Sequence, residues 1–475
     1  LRHHGPNKKL NSLNKSNLRY DHRTLGVWNY SITKSIEPME SDVESDPIYE
    51  RISPGRKWII AAILSLGGFN SNLASQIVSP AIPEVATAFQ TTGEIINLNN
   101  ALYILFMGIG SLFWGPICTI YGKRWVAIIA STVFLGSVIG TGFSPNLAAF
   151  FIFRILSAAT GTAFQVIGPS CISDIYSPME RGNVLSWFLT GTLIAPSLGP
   201  FLSGVIVTYT DWQALFWFLA GLVGLCGLLV IFLLPETSQK TLMTEMNDLG
   251  GTERLMKSIR LCSPLKVLSL FRSPKIILLG FATSSIVWNM QSLLTPVRYV
   301  INPRFKLTSP LLSGLFYLAS GAGYLAGATI GGFYTDRVVR SWARKRGRIV
   351  PEDRLRGSFV AMGIGIPVSI AIYGWCIDQE KGGIPLPVIC MFTQGLAQLV
   401  CLPCLNTYCL EVIEGRGNDV MAGNLFVRYS VAAIGTALCL PGINTIGVGW
   451  WSTISAIFVA ASSFGMFCIL YFDLQ

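Results

Sequence analysis

Charged side chains are scarce in this sequence of 475 residues, and their scarcity excludes most classes of soluble protein. Asp, Glu, Lys and Arg together make up 13% of the chain, whereas soluble domains carry about 25%. Hydrophobic residues reach 51%, so too few polar side chains remain to cover a water-facing surface. The composition therefore predicts an integral membrane protein that crosses the bilayer several times.

Histidine and acidic residues are missing from the places where buried chemistry would need them. The three histidines, His3, His4 and His22, all lie in the polar segment at the start, and no Asp or Glu falls in the middle of an apolar run. Cys401 and Cys404 have the spacing of a redox or zinc pair, but no second pair or histidine accompanies them. We therefore predict no enzyme activity, no metal and no bound cofactor.

Long apolar runs follow one another from residue 58 onward. A membrane-crossing helix needs about 20 mostly apolar residues, and this window finds twelve candidates, which predicts an all-α fold. They lie at about 58–80, 96–117, 125–143, 147–171, 183–209, 213–234, 275–297, 311–333, 358–377, 384–405, 420–443 and 447–472. We number them spans 1 to 12.

The twelve spans divide into two groups of six, which predicts two pseudo-symmetric six-helix bundles. The turn that begins at Gly115 after span 2 has a counterpart that begins at Gly332 after span 8. Such duplication is typical of transporters that bind their substrate between the two repeats. The predicted parts are a polar cytosolic tail (1–57), an N-terminal bundle (58–234), a central cytosolic loop (235–274) and a C-terminal bundle (275–475).

The basic residues are concentrated in alternate loops. Loops 2–3, 4–5, 6–7, 8–9 and 10–11 hold 19 Lys and Arg, whereas the loops between them hold four. Short basic loops stay in the cytosol, so we predict a multi-pass protein with both termini cytoplasmic. The net charge of +10 is therefore a sign of topology, and we predict no nucleic-acid partner.

The turn between spans 2 and 3 carries a motif of glycines and basic residues, Gly115, Gly122, Lys123 and Arg124. Glycine permits a tight turn, and the basic pair holds the loop at the cytosolic face. The motif resembles the loop signature of the major facilitator superfamily, in which an acid stands at the position of Thr119. The matching turn after span 8 keeps that acid as Asp336, followed by Arg337.

Span 5 combines small residues at every fourth position with two prolines. The residues are Gly191, Ala195, Pro196, Gly199, Pro200, Ser203 and Gly204. Small residues on one face let another helix approach closely, and proline bends a helix. The pattern resembles the antiporter motif of exporters in the superfamily, with Ala195 and Ser203 in place of two glycines, and it favours export over uptake.

Three further segments are similar to the fungal twelve-span drug:proton antiporter family, which includes quinidine-resistance exporters. They are 79–83 at the end of span 1, 348–355 in loop 8–9, and 422–428 in span 11. The resemblance covers about residues 50–472. It implies a monomer in the plasma membrane that exports small organic molecules by alternating access, with the proton gradient as driving force and no cofactor.

Two basic residues are predicted inside the membrane, Arg154 in span 4 and Arg428 in span 11. A cation in hydrocarbon is costly, so it faces the bundle interior or a wet cavity. Arg154 occupies the place of the superfamily's span-four arginine, which implies a role in proton transfer; the alternative is a structural arginine bonded to backbone carbonyls. The predicted coupling and gating residues are Arg154, Asp174, Asp336, Arg337, Glu411 and Arg428.

Polar side chains within the spans predict the lining of a substrate cavity, although each could instead bond to a neighbouring helix. Asn72 and Gln76 lie four residues apart and so share one helix face, as do Gln394 and Gln398. The full set is Asn72, Gln76, Gln165, Asn289, Gln291, Tyr317, Tyr324, Gln394, Gln398 and Asn424. Because no buried acid is available to pair with a cation, we predict a neutral or anionic substrate.

The predicted function is therefore secondary active export of a drug, toxin or secondary metabolite, with protons and the lipid bilayer as the other partners. Two alternatives stay open. One is an uptake permease or facilitator with the same fold. The other is a membrane sensor on this scaffold that transports nothing.

Overall fold

The structure is a computed structural model that describes residues 52–237, 264–301, 310–347, 350–413 and 416–471. Most of the predicted tail and most of the central loop lie outside the described residues. Across the part of the chain that is described, the secondary structure is helical and contains no strand. The fold is therefore all-α, as the apolar runs predict.

Helices occupy all twelve predicted spans. Spans 1 to 6 are Pro54–Gln76 with the short continuation Ile82–Ala88, Gly93–Tyr121, Lys123–Gly142, Leu147–Gly161 continued by Ala163–Ile175, Pro178–Tyr209, and Gln213–Leu233. Spans 7 to 10 are Pro274–Pro296, Pro310–Arg346, Ile366–Asp378 and Pro385–Glu411. Spans 11 and 12 are the two parts of Gly417–Tyr471.

Ten helical segments among the described residues are long and apolar enough to cross a bilayer. Two local features account for the difference between these ten segments and the twelve predicted spans. Gly417–Tyr471 contains two helices that meet at Gly447, where a φ of 84° and a ψ of 164° interrupt the helical backbone. Pro310–Arg346 has 37 residues but is rich in glycine, and it packs between spans 5 and 10, where fewer large apolar side chains fit.

The turn between spans 2 and 3 depends on Gly122. Its φ of 86° lies in the left-handed region, which side chains with a Cβ rarely adopt. A Cβ at this position would also lie 2.6 Å from Oε2 of Glu236. Gly122 therefore lets span 3 begin directly after span 2 and lets an acid from the end of span 6 approach its first turn.

Large apolar side chains cover much of the outer surface of the helix bundle. Phe333 is 81% exposed, Trp125 63% and Leu228 56%. Soluble monomers rarely expose apolar side chains over such a wide area, whereas a bilayer solvates them with hydrocarbon. This surface indicates that the helices lie in a membrane. The polar side chains of a candidate site are therefore expected between the helices.

The two halves of the bundle meet along two seams. Span 2 packs against span 11, and span 5 packs against span 8; we call these the 2/11 seam and the 5/8 seam. In the 2/11 seam, Ser111 Oγ donates a hydrogen bond of 3.0 Å to the carbonyl oxygen of Ala422. In the 5/8 seam, the hydroxyls of Ser197 and Ser320 lie 2.8 Å apart. The seams hold the halves together around the molecule's centre.

Candidate functional site

A small chamber lies between the two halves. Its volume is about 50 Å³ and its lining is contributed by spans 1, 2, 5, 7, 8 and 11. Six of its polar lining residues are Gln76, Asn97, Asn100, Gln291, Thr295 and Tyr317. Ligand pockets for drug-sized molecules have about 300–1,000 Å³, so the chamber must widen before it can hold one.

Three of the residues predicted to line the cavity reach this chamber: Gln76, Gln291 and Tyr317. Two adjoining residues, Asn97 and Asn100, were not predicted. They lie three residues apart near the start of span 2, a spacing that places both on one helix face and that could have identified them. For Gln76, Gln291 and Tyr317, the role in substrate binding stays a prediction.

Asn72 and Gln165 belong to a chain of hydrogen bonds that joins the two halves beside the chamber. The Asn72 amide donates to the carbonyl oxygen of Thr192 (2.8 Å), and the Gln165 amide donates to Oδ1 of Asn72 (2.9 Å). The Tyr429 hydroxyl of span 11 then donates to Oε1 of Gln165 at 2.5 Å. This chain spans both halves, and Tyr429 was missed because its polar partner is 264 residues away.

The other predicted cavity residues bond within the C-terminal half. The Asn289 amide donates to the carbonyl oxygen of Ser455 at 2.9 Å, and the Tyr324 hydroxyl donates to Oε1 of Gln398 at 3.2 Å. These contacts fit the alternative that such polar groups bond to neighbouring helices.

Asn424 and Gln394 complete the predicted set. Oδ1 of Asn424 accepts a hydrogen bond of 2.7 Å from the Thr283 hydroxyl. Gln394 is fully buried, and neither end of its amide has a hydrogen-bond partner among the described residues. Neither residue lines the chamber.

Arg154 is 1% exposed and lies in the N-terminal half. Its guanidinium donates to the carbonyl oxygen of Ala74 (2.5 Å) and to Oδ1 of Asn100 (3.1 Å), and it stacks 4.2 Å from the ring centroid of Tyr103. No acid is among these contacts. Arg154 thus fixes Asn100 in the chamber wall, an arrangement that fits the structural alternative and leaves a role in proton transfer a prediction.

Arg428 is 5% exposed and lies away from the chamber lining. Its guanidinium carbon is 5.2 Å from the ring centroid of Tyr429, the residue that donates to Gln165. Its Nε has no hydrogen-bond partner within the described ranges. Arg428 is therefore a buried cation supported by an aromatic ring next to the hydrogen bonds that join the halves.

Span 5 is held between span 1 of its own half and span 8 of the other half. The small-residue face packs on span 1, because a Cβ on Gly191 would lie 1.8 Å from Oγ of Ser65 and one on Gly199 would lie 3.3 Å from Leu73. Ala195 and Ser203, of the same stripe, are fully buried. Ser197 belongs to another face and contacts span 8.

The two prolines of span 5 lie inside the continuous helix Pro178–Tyr209. Pro200 also lines the chamber, so a bend at this point shapes the chamber wall. Span 5 therefore makes two kinds of contact: a tight one with span 1 in its own half, and one with span 8 across the 5/8 seam.

The end of the bundle that carries the basic loops, here called the basic end, is predicted to face the cytosol. There Lys123 Nζ lies 2.5 Å from a carboxylate oxygen of Asp174. Glu236 accepts hydrogen bonds from the backbone N–H groups of Lys123 (3.0 Å) and Arg124 (3.1 Å). A carboxylate at a helix N-terminus is favourable. Glu236 therefore supplies a negative charge at this turn, although Thr119 stands where the loop signature has an acid.

Glu236→Ala is expected to lower the melting temperature by about 1–2 °C. Loss of the carboxylate leaves two N–H groups of span 3 without their acceptor, which costs about 1–2 kcal/mol. Thermal unfolding of the detergent-purified protein measures this. Lys381→Ala removes an exposed charged side chain from loop 9–10 at the opposite end and should leave the melting temperature unchanged; equal melting of the two variants would contradict the capping role.

Glu411 connects the two halves at the basic end. Its carboxylate accepts hydrogen bonds from Arg354 of loop 8–9 at 2.8 and 3.0 Å and from Arg181 of span 5 at 3.3 Å. We call these three residues the latch. Arg181 and Arg354 were missed by the sequence analysis, because nothing in their spacing points to an acid 230 and 57 residues away.

A second contact beside the latch joins the halves through uncharged groups, from the hydroxyl of Ser170 in span 4 to Oδ1 of Asn418 in span 11. Of the other predicted gating residues, Arg337 is exposed, and the side chain of Asp336 lies outside the described residues. The basic end is therefore closed by the latch and by this hydrogen bond.

Tyr176 lies directly after span 4 at the basic end. Burial and, second to it, the neighbouring Glu180 carboxylate raise the pKa of Tyr176 to about 12. Lys57 Nζ lies 5.4 Å from the centroid of its ring. The ring is therefore neutral at physiological pH and attracts a cation through its face, so it adds no titratable group near neutrality.

Similar proteins were found by sequence and by structure. The chain is 23% identical to the MFS antiporter QDR3 of Candida albicans, over 86% of this chain and 76% of that protein. It is 25% identical to the efflux pump radE of Floropilus chiversii, over 88% of this chain and 80% of that protein. The similarity thus extends over most of this chain and of both relatives, with about a quarter of the aligned residues identical.

Solved structures share the fold at low identity. The human organic anion transporter MFSD10 covers 87% of this chain, and all of that structure is covered, with a TM-score of 0.65 and 16% identity. The proton:xylose symporter XylE covers 88% of this chain, and 96% of that structure is covered, with a TM-score of 0.66 and 14% identity. Residues 64–436 match the sequence profile of the Major Facilitator Superfamily. The chain therefore belongs to the Major Facilitator Superfamily of membrane transporters and is not an enzyme.

Proposed function

We propose that this protein exports small neutral organic molecules across the plasma membrane in exchange for protons, as a monomer with both termini in the cytosol. The observation that carries the direction is the position of span 5. Its small-residue face lies against span 1, and Ser197 of another face touches span 8. An exporter motif thus lies where the halves must move against each other.

The names of related proteins support the same direction. QDR3 is named an antiporter and radE an efflux pump. In this chain the predicted cytosolic end is closed by the latch and by the bond between Ser170 and Asn418. Exporters and uptake permeases both pass through such a state, and an exporter releases its substrate to the outside from it.

A neutral substrate fits the chamber better than a charged one. Its described lining consists of amides, hydroxyls and apolar side chains and includes no charged residue. Arg154 lies behind this lining, where its guanidinium bonds to Ala74 and Asn100, so it does not place a positive charge on the chamber wall. A charged molecule would have to leave water without a partner, at a cost of several kcal/mol.

Transport of fluorescent compounds of different charge tests the proposal. Cells that lack the protein and cells that overexpress it would be loaded with Nile red (neutral), fluorescein (anionic) and ethidium (cationic). We expect overexpression to speed the loss of Nile red only. Faster accumulation of any dye would indicate uptake, and no change for any dye would favour a sensor.

Proton exchange is tested with purified protein in vesicles. In vesicles that hold the protein inside out, export appears as movement of Nile red into the vesicle. This movement should depend on an acid interior, because protons that leave the vesicle would drive the substrate in the opposite direction. Dissipation of the gradient with a protonophore is the control. Equal rates with and without the gradient would indicate facilitated diffusion and contradict antiport.

Tyr429→Phe is expected to slow export about fivefold. The change removes one hydroxyl that links span 11 to Gln165 of span 4, and one such bond is worth about 0.5–1.5 kcal/mol. Initial rates of dye loss measure the effect. Tyr471→Phe, at an exposed ring, is the matched control, and a similar rate in both variants would contradict a role for the inter-half bond.

A further inference from the structure

A cavity of about 750 Å³ separates the ends of spans 2 and 11 that lie opposite the basic end. Gly93, Asn97 and Leu98 line it from span 2, and Ala437, Pro441 and Asn444 line it from span 11. We call this cavity the crevice. It is large enough for a drug-sized molecule, unlike the central chamber.

The two seams differ at this end of the bundle. The 5/8 seam stays packed, since a Cβ on Gly314 would lie 2.9 Å from Cα of Phe201. The 2/11 seam is tight only nearer the basic end, where a Cβ on Gly115 would lie 2.8 Å from Cβ of Ala422. The halves are therefore open on one side and closed on the other.

The crevice and the chamber share two lining residues, Ile82 and Asn97. Each side chain therefore has one face on the polar chamber and one on the crevice. A molecule that leaves the chamber toward the crevice must pass between these two groups. Asn97 offers it a hydrogen bond, and Ile82 offers an apolar contact.

The crevice has an apolar lining with few polar groups. Ile82, Leu98, Leu440 and Pro441 are among its walls, and Asn97 and Asn444 supply amides. Glu94 is the one charged residue among the described lining residues. Such walls suit a molecule that is mostly apolar and carries one or two hydrogen-bonding groups.

The crevice is bordered by side chains at the lipid-facing surface. Leu98 of the lining is 53% exposed, and Ile95 of span 2, three residues before it, is 40% exposed. Apolar groups at this level of a membrane bundle contact acyl chains. The opening of the crevice is thus directed sideways into the bilayer as well as toward water.

We propose that the crevice is a one-sided exit route, by which a neutral amphiphilic molecule passes Asn97 and Ile82 and leaves between spans 2 and 11 at the outer leaflet. The proposal rests on the proposed export function and adds the route and the substrate class. Such a molecule is never required to enter water fully, which lowers the free energy needed to release an apolar compound.

Tryptophan substitutions on neighbouring residues of span 11 test the route. Ala437→Trp places an indole in the crevice, and we expect it to slow Nile red export at least about tenfold, or about 1.4 kcal/mol, because the indole narrows the passage through which the molecule must leave. Leu438→Trp is the matched control: it lies next in sequence, is lipid-facing and is outside the crevice lining. It should export within about twofold of the unmodified protein.

A second pair of variants tests the same route in case the first crevice variant does not fold. Asn444→Trp places an indole in the crevice about two turns farther along, and Ile446→Trp, with 42% exposure, is its control outside the lining. Surface labelling and size-exclusion profiles establish that each variant folds and reaches the membrane. Slow export in both crevice variants and normal export in both controls is the expected result.

The outcomes separate the route from the function. If the unmodified protein exports none of the three dyes, the proposed function fails. If it exports Nile red and the crevice variants that fold export it equally well, the route is wrong and the function stands. If all four tryptophan variants lose export alike, the effect is a general disturbance of span 11, and the one-sided route is also rejected.

Discussion

Glu411→Gln is expected to reduce export by about 30- to 100-fold while the protein still reaches the membrane. The carboxylate accepts hydrogen bonds from Arg354 and Arg181, whose side chains are 5% and 9% exposed, and is itself 16% exposed. Removal of one partner from a buried ion pair costs about 3–5 kcal/mol. With a discount for partial exposure, about 2–3 kcal/mol remains, and each 1.4 kcal/mol is a factor of ten.

The reason for the large effect is that the latch joins the two halves. Arg181 belongs to span 5 of the N-terminal half, whereas Arg354 and Glu411 both belong to the C-terminal half. The contact between Arg181 and Glu411 therefore stabilises only the state that is closed at the basic end. Without it the population shifts toward the state that is open there, and the return step slows. Asp174 pairs with Lys123 inside one half, so Asp174→Asn should have a smaller effect on this equilibrium.

Two measurements check this prediction. Initial rates of Nile red loss report transport, and maleimide labelling of the native Cys409, which is fully buried two residues before Glu411, reports opening of the basic end. Labelling should speed up when Glu411→Gln is added. Glu84→Gln, an exposed acid at the opposite end, is the control. Normal export together with unchanged labelling would show that the latch does not govern the cycle.

Gly199→Leu is expected to leave a folded protein in the membrane that exports about 5- to 150-fold more slowly. A Cβ at this position already lies 3.3 Å from Cδ1 of Leu73 and 3.4 Å from Cβ of Gln76. The further carbons of leucine have no space, and overpacking of this kind costs about 1–3 kcal/mol. Span 5 must move away from span 1, which displaces Gln76 from the chamber wall.

A series of variants separates this cause from a general loss of stability. Gly199→Ala adds a single carbon at contact distance and should slow export only about two- to threefold. Gly221→Leu in span 6 is the matched control, because no atom lies within 4 Å of a Cβ there. Surface labelling measures folding and dye loss measures export. Rapid export by Gly199→Leu would show that the contact between spans 1 and 5 is not needed.

Much of the fold could be predicted from the sequence because hydrophobicity is read along the chain. Apolar runs of about 20 residues need no knowledge of their neighbours, so the twelve spans were found where the helices lie. The break at Gly447 was found in the same way, as the gap between the last two runs. The glycines of the turn at Gly122 were also visible, since a left-handed backbone requires them.

The candidate site was only partly predictable, because a polar residue in a span does one of two things. Gln76 and Gln291 line the chamber, whereas Asn289 and Gln398 bond to other helices of their own half. The rotation of each helix about its axis decides between these roles. That rotation is set by packing against several helices at once, which spacing along one helix does not contain.

The sequence by itself determined that this protein lies in a membrane, that it has two repeated halves and that span 5 carries small residues on one face. Only the tertiary structure decided which groups meet: Lys123 with Asp174, Glu411 with two arginines, and Tyr429 with Gln165. The physical reason is the distance along the chain over which each property is determined. Burial in lipid depends on the local composition of a single helix, whereas an ion pair or an open seam depends on the positions of helices far apart in the chain.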